Sequence, residues 1–114
     1  MAAATEIAAL WEEYEAREWL LRGDVALRRR DCETALVAFD ARMDIQPRPE
    51  YMQAQVARLA TLCGPEPALL HLQRYLDAGL PVAAAASPML RLRDRVTAGF
   101  WTAHWRDLQR LLAE

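Results

Sequence analysis

Four side chains in this sequence are of the kinds that ligate transition metals or act as nucleophiles and bases: Cys32, Cys63, His71 and His104. A zinc site takes its ligands from closely spaced pairs, because one turn has to bring two donors onto one ion. No C-x2-C, H-x3-H or H-E-x2-H spacing occurs here, so neither a metal nor a cofactor is expected. The glycine-rich loops that cradle phosphate and the G-x-S-x-G nucleophile turn are also missing. The only serine, Ser87, precedes a proline and reads as a helix cap. Cys32 is the best chemical candidate, since it follows Arg28-Arg29-Arg30 at an expected helix N-terminus, where cations and free amides both favour a thiolate. The plainer reading, a small residue at a hairpin turn, is preferred, and a thiol-based sensor or enzyme at Cys32 is kept as an alternative. Cys63, beside Gly64, reads as a packed thiol, and His71 as a half-buried structural histidine. His104 lies between Trp101 and Trp105 with no acid or nucleophile to work with. The chain is expected not to be an enzyme.

Charge removes further classes. The 114 residues carry 14 Arg and 16 acids for a net charge of −2. Nucleic-acid domains show a basic excess or a basic stripe, so no nucleic-acid partner is expected; Asp94 interrupts the arginines at 91, 93 and 95. No apolar run approaches the ~20 residues of a membrane span. The opening Met-Ala-Ala-Ala-Thr-Glu lacks the basic region of an export signal, and Glu6, Glu12 and Glu13 break the apolar stretch behind it. These readings give a cytoplasmic protein with two reduced thiols and no membrane contact.

The elements that must position such residues are helical. Ala and Leu dominate the composition while Val, Ile and Thr are few, which disfavours a sheet and gives an all-α class. Ile7, Leu10, Trp11 and Tyr14 recur at helical spacing, and the stripe continues through Leu20, Leu21, Val25 and Leu27. That stretch is one long helix or two joined near residue 15, with Gly23 inside it for a packing reason. Asp31 fits an N-cap for a second helix to about Ile45, which Gln46-Pro47-Arg48-Pro49 stops. A third helix runs from about Pro49 to Leu62, and Gly64 ends it. Pro65 opens a fourth, which closes at Gly79-Leu80-Pro81 in a Schellman-like turn. Residues 82–86 read as a short helix or coil, Ser87-Pro88 as the start of a brief helix, and Thr97 as the cap of a last one. Phe100, Trp101, Trp105, Leu108, Leu111 and Leu112 form the apolar face of that last helix.

Trp19-Leu-Leu-Arg-Gly23, then Ala35-Leu-Val-Ala-Phe39, then Pro47 resembles one tetratricopeptide repeat, whose pattern is W-x2-L-G-x2-Y, A-x3-F and P within 34 residues. Arg22 stands where Leu is usual and Ala26 where Tyr is usual. Physically, Gly23 and Ala35 let two helices approach closely, Phe39 fills the space between hairpins, and Pro47 ends the second helix. A degenerate second unit sets Ala57 in the glycine's place and Ala68 and Leu72 in the Ala/Phe places, with an inter-helix turn one residue shorter. The stretch from Ser87 to Asp94 is similar to the closing segment of many bacterial repeat proteins. The resemblance implies a right-handed α-solenoid of antiparallel hairpins in one domain: an N-terminal cap over 1–15, repeats over 16–49 and 50–81, and capping helices over 82–114.

What the family resemblance implies for function is a non-enzymatic interaction or adaptor module that holds a peptide or helix in a concave groove. In its register the groove takes Arg17, Leu20, Asp24, Leu27 and Arg28 from the first unit. From the second it takes Tyr51, Gln55, Arg58 and Leu62. Three arginines there suit an acidic partner segment. The family's binders of terminal carboxylates use Lys and Asn, and this chain has neither. Trp101 and Trp105, spaced i,i+4, are the alternative surface if they are not core. Self-association into a homodimer, acting as a structural or assembly protein, is the alternative function.

Overall fold

The computed structural model describes residues 2–103, without the side chains of residues 2–5 and of Trp101. His104 and Trp105, and the apolar face assigned to residues 105–112, lie outside the described residues. Six helices follow one another: α1 (Ala2–Arg28), α2 (Cys32–Ile45), α3 (Pro49–Cys63), α4 (Pro65–Asp77), α5 (Ala83–Arg93) and α6 (Ala98–Ala103). No strand occurs among the described residues. The all-α class is the observed one.

Local chemistry explains the boundaries. α1 is a single helix, because no proline interrupts it and one interior glycine costs only about 1 kcal/mol. It ends in a Schellman turn: the Asp31 amide donates to the Ala26 carbonyl at 2.9 Å and the Arg30 amide to Leu27 at 3.0 Å. That geometry puts Arg30 at φ 58°, in the left-handed region that glycine normally fills. Asp31 then caps α2, its carboxylate accepting from the Thr34 amide at 3.2 Å. Hydrogen bonding to Thr34 holds the Asp31 carboxyl below its ordinary pKa. Pro49 and Pro65 open α3 and α4, where a missing amide is no loss. Gly64 alone joins those two helices at φ 97° and ψ 173°, a combination that is essentially glycine's own. The α4 end returns the Gly79 amide to Leu76 at 2.9 Å. Tyr75 fixes the exit by donating its phenol to the Pro81 carbonyl at 2.9 Å. Burial, and then the charge of Glu50, push that phenol's pKa up.

The Ser87-Pro88 reading needs correction. α5 starts at Ala83 and runs straight through both residues, so Ser87 is an exposed interior residue and caps nothing. Pro88 has no amide to offer the Ala84 carbonyl one turn back. Gln53 of α3 supplies the missing donor, its Nε2 reaching that carbonyl at 2.9 Å. The interior proline is thus tolerated through a tertiary contact. Thr97 caps α6 as expected, accepting from the Phe100 amide at 3.1 Å.

The helices pair as hairpins, α1 along α2 and α3 along α4, with α2 packed on both α3 and α4 and α5 closing over α3 and α4. The core is built from Leu27, Ala35, Phe39, Met43, Met52, Leu59, Leu69, Leu72, Tyr75 and Met89 with smaller neighbours. Gly23 lies under Phe39 so closely that a Cβ there would fall 2.4 Å from the ring. Ala35 is fully buried, as a close helix crossing demands. In the second unit Ala68 and Leu72 are buried, but Ala57 is exposed, and the small buried residue of α3 is Ala60.

Two further expectations are overturned. Residues 6–15 do not cap the core: each of them is exposed, and Ala16 is the first buried position after them. The helix therefore projects, and the radius of gyration is 15.1 Å against about 13 Å for a compact chain of this length. The cysteines are not reduced thiols. Cys32, first in α2, is bonded to Cys63, last in α3, with Cα atoms 5.8 Å apart. Both residues are half-buried, and the bond ties the first hairpin to the second.

Candidate interaction surface

The residues assigned to the concave groove divide into three kinds. Leu27 and Gln55 are each 1% exposed and belong to the interior, which corrects their placement on a solvent-facing surface. Asp24, Arg58 and Tyr51 are half-buried and engaged with other residues. The Arg58 guanidinium donates directly to the Asp24 carboxylate and lies 5.8 Å from the Phe39 ring centroid. Consecutive α1 residues thus do linked work: Gly23 admits Phe39, and Asp24 anchors the arginine that covers it. Tyr51 lies beneath Arg42, whose guanidinium carbon is 3.8 Å from the ring centroid. Arg17 and Arg28 remain exposed and form no ion pair with a described residue, and Leu20 is half-buried at the core edge.

Behind Tyr51 runs a chain of polar contacts whose directions are forced. Arg42 Nη1 donates to Gln55 Oε1 at 3.0 Å. A guanidinium has only donors, so this fixes the amide orientation. Gln55 Nε2 must then donate to His71 Nε2, 2.7 Å away. That leaves the His71 proton on Nδ1, donating to Asp40 Oδ1 at 2.7 Å. His71 is fully buried, more deeply than the half-buried position expected for it. Burial lowers the Arg42 pKa, opposed by Tyr51 and Asp24. With both imidazole nitrogens occupied and the ring fully buried, this network locks α2, α3 and α4 together. Among the described residues, no three His, Cys, Asp or Glu side chains cluster as ion ligands do. Cys32 offers no free thiol, because its sulfur is bonded to Cys63.

The unsatisfied surface lies elsewhere. Ile7, Leu10, Trp11, Tyr14, Leu21 and Val25 are all exposed. At about 100° per residue they share one arc of α1, opposite the face that buries Ala16, Gly23 and Leu27 against the hairpin. Trp11 and Tyr14 meet edge to face with centroids 6.0 Å apart. With Ile7 and Leu10 they line a shallow apolar cleft of about 370 Å³. The spacing of this stripe was visible in the sequence; its exposure was not, because periodicity places residues on one face without saying what covers it. The polar chain left a fainter mark: Gln55 and His71 occupy positions in otherwise apolar helix faces, which requires buried partners. Trp101 lies in α6 and Trp105 outside the described residues, so the structure places no contact for this pair. Comparison with protein families, with curated proteins and with solved structures found no match.

Proposed function

We propose that this chain is a non-enzymatic protein-interaction module: a small scaffold of helical hairpins, similar to tetratricopeptide repeats, that presents α1 to another helix or peptide. The observation that supports this reading is the exposed stripe on α1, with Trp11 61% and Tyr14 63% exposed. Aromatic residues of this kind dominate binding energy when they enter a partner's pocket, and leaving them in water costs the free chain solubility. The concave-groove version has less to offer an acidic segment, because Arg58 is matched by Asp24 and Gln55 is enclosed. Arg17 and Arg28 are its cations that form no ion pair with a described residue. The Cys32–Cys63 bond departs from the two reduced thiols expected of a cytoplasmic site and favours an oxidising compartment. No helix among the described residues is long and apolar enough to cross a membrane.

The test uses the full chain as bait with two variants, Trp11→Glu and the pair Arg17→Ala with Arg28→Ala. Loss of a captured partner with Trp11→Glu alone supports the α1 surface. Loss with the arginine pair alone moves recognition to the concave face. A chain that neither captures a protein nor associates with itself contradicts the interaction reading.

A further inference from the structure

Building on the interaction reading, we infer that the occupant of the exposed α1 face is α1 of a second copy of this chain, lying antiparallel to the first about a two-fold axis. Positions 7, 11, 14, 18, 21 and 25 alternate in steps of four and three, the repeat by which one helix keeps a constant seam toward another. Five of the six are exposed apolar residues. The sixth, Glu18, is already bonded to Arg22 of its own helix at 2.7 Å, so it enters the seam as half of a pair. The hairpin core lies on the opposite side of α1, and among the described residues none covers the stripe from Ile7 to Val25 of this helix of about 40 Å.

Charge selects both the occupant and its direction. Residues 6–18 of α1 hold Glu6, Glu12, Glu13, Glu15 and Glu18 with a single Arg17. Residues 19–28 hold Arg22 and Arg28 and are followed by Arg29 and Arg30, while the one acid among them, Asp24, is paired with Arg58. A helix with this polarity complements its own reverse. Glu15 and Arg22 border the same edge of the seam, two turns apart. An antiparallel copy therefore sets Glu15 against Arg22 of the second copy, and symmetry forms the pair twice. A parallel copy would instead bring Arg17 alongside Arg22 of its neighbour.

The size of the patch agrees. Aromatic side chains present about 150–250 Å² each, so the exposed fractions of Trp11 and Tyr14 leave roughly 250 Å² of ring surface per copy. With Ile7, Leu10, Leu21 and Val25 the patch approaches roughly 500 Å². Closing two of them buries roughly 1,000 Å², the size at which a specific interface begins.

Sedimentation velocity of the full chain between about 1 and 100 µM reads the inference directly. Wild type is expected at twice its 13.0 kDa mass at the upper concentrations. Trp11→Glu and Tyr14→Glu are expected to sediment as monomers, with circular dichroism spectra like the wild type's and melting curves like those of wild type at its lowest, monomeric concentration. Glu15→Arg should weaken association at least tenfold, and adding Arg22→Glu should restore most of it, because the arginine introduced at position 15 lies one turn from Glu18 and replaces the partner that Glu18 loses at position 22. A wild type that stays monomeric at 100 µM overturns the second-copy inference; the capture experiment then decides the interaction reading separately. A dimer that persists in both Trp11→Glu and Tyr14→Glu places the interface elsewhere and overturns it as well. Failure of the charge swap to restore association overturns the antiparallel arrangement.

Discussion

Replacing Gly23 with alanine sets two effects of known size against each other. In a helix interior, alanine is favoured over glycine by about 1 kcal/mol, since it loses less backbone entropy on folding. Against that, the new methyl would fall 2.4 Å from Phe39 Cε1 and 2.7 Å from Cδ1, whereas carbon atoms rest about 3.5–4.0 Å apart. The ring has to retreat by about 1 Å. It has nowhere free to go: Phe39 is fully buried, His71 stands 6.3 Å behind it, and Arg58 covers it. Overpacking of this kind costs about 1–3 kcal/mol, enough to reverse the propensity gain. The expected result is a net loss of about 1 kcal/mol, or roughly 4–5 °C in melting temperature for a domain of this size. Gly99→Ala is the control, because beyond its chain neighbours and its own helix backbone nothing lies within 4 Å of where a Cβ would stand, and the propensity gain should survive there. In a Phe39→Leu background the penalty of Gly23→Ala should largely vanish. Urea titrations followed by far-ultraviolet circular dichroism would read all five chains, wild type and the Phe39→Leu reference included. If Gly23→Ala stabilises the protein as Gly99→Ala does, the close α1–α2 crossing is not where the structure puts it.

Arg30→Gly should stabilise the chain by about 1 kcal/mol, the cost of a left-handed non-glycine residue, and an unchanged urea midpoint would contradict the Schellman turn. Gln55→Leu strands the His71 Nε2 acceptor and the Arg42 Nη1 donor in the interior, a loss of about 2 kcal/mol that the same titration reads; a neutral outcome would mean water reaches the network. Reducing the Cys32–Cys63 bond, which spans 31 residues, should cost roughly 3–4 kcal/mol by loop-closure entropy. Equal stability with and without reductant would show that the bond constrains nothing.

Where a residue's role is set by its neighbours in sequence, the chain was readable. Asp31 as a cap, Pro49 and Pro65 at first turns, and Gly64 and Gly79 at positive-φ turns all follow from local stereochemistry, while the Gly23, Ala35 and Phe39 crossing was readable only through the repeat resemblance. Tertiary partners were hidden. Pro88 looked like a helix start because a proline alone cannot show that Gln53 will satisfy the carbonyl it strands. Ile7, Leu10, Trp11 and Tyr14 looked like cap residues because amphipathic spacing is the same whether the partner helix belongs to the same chain or another. Cys32 and Cys63 are far apart in sequence, and only the packing of α2 on α3 brings them together. Leu27 and Gln55 were placed on a groove by repeat register, while the packing between hairpins took them into the core.

Amide hydrogen exchange at two protein concentrations tests the central claim, that the exposed face of α1 is a surface built to be covered by another helix. At about 1 µM the amides of residues 6–15, which no other described helix covers in the single chain, should exchange quickly. At about 100 µM they should slow at least tenfold, while those of α3 and α4 stay unchanged. Equal and rapid exchange of residues 6–15 at both concentrations would contradict the claim that a second α1 covers them.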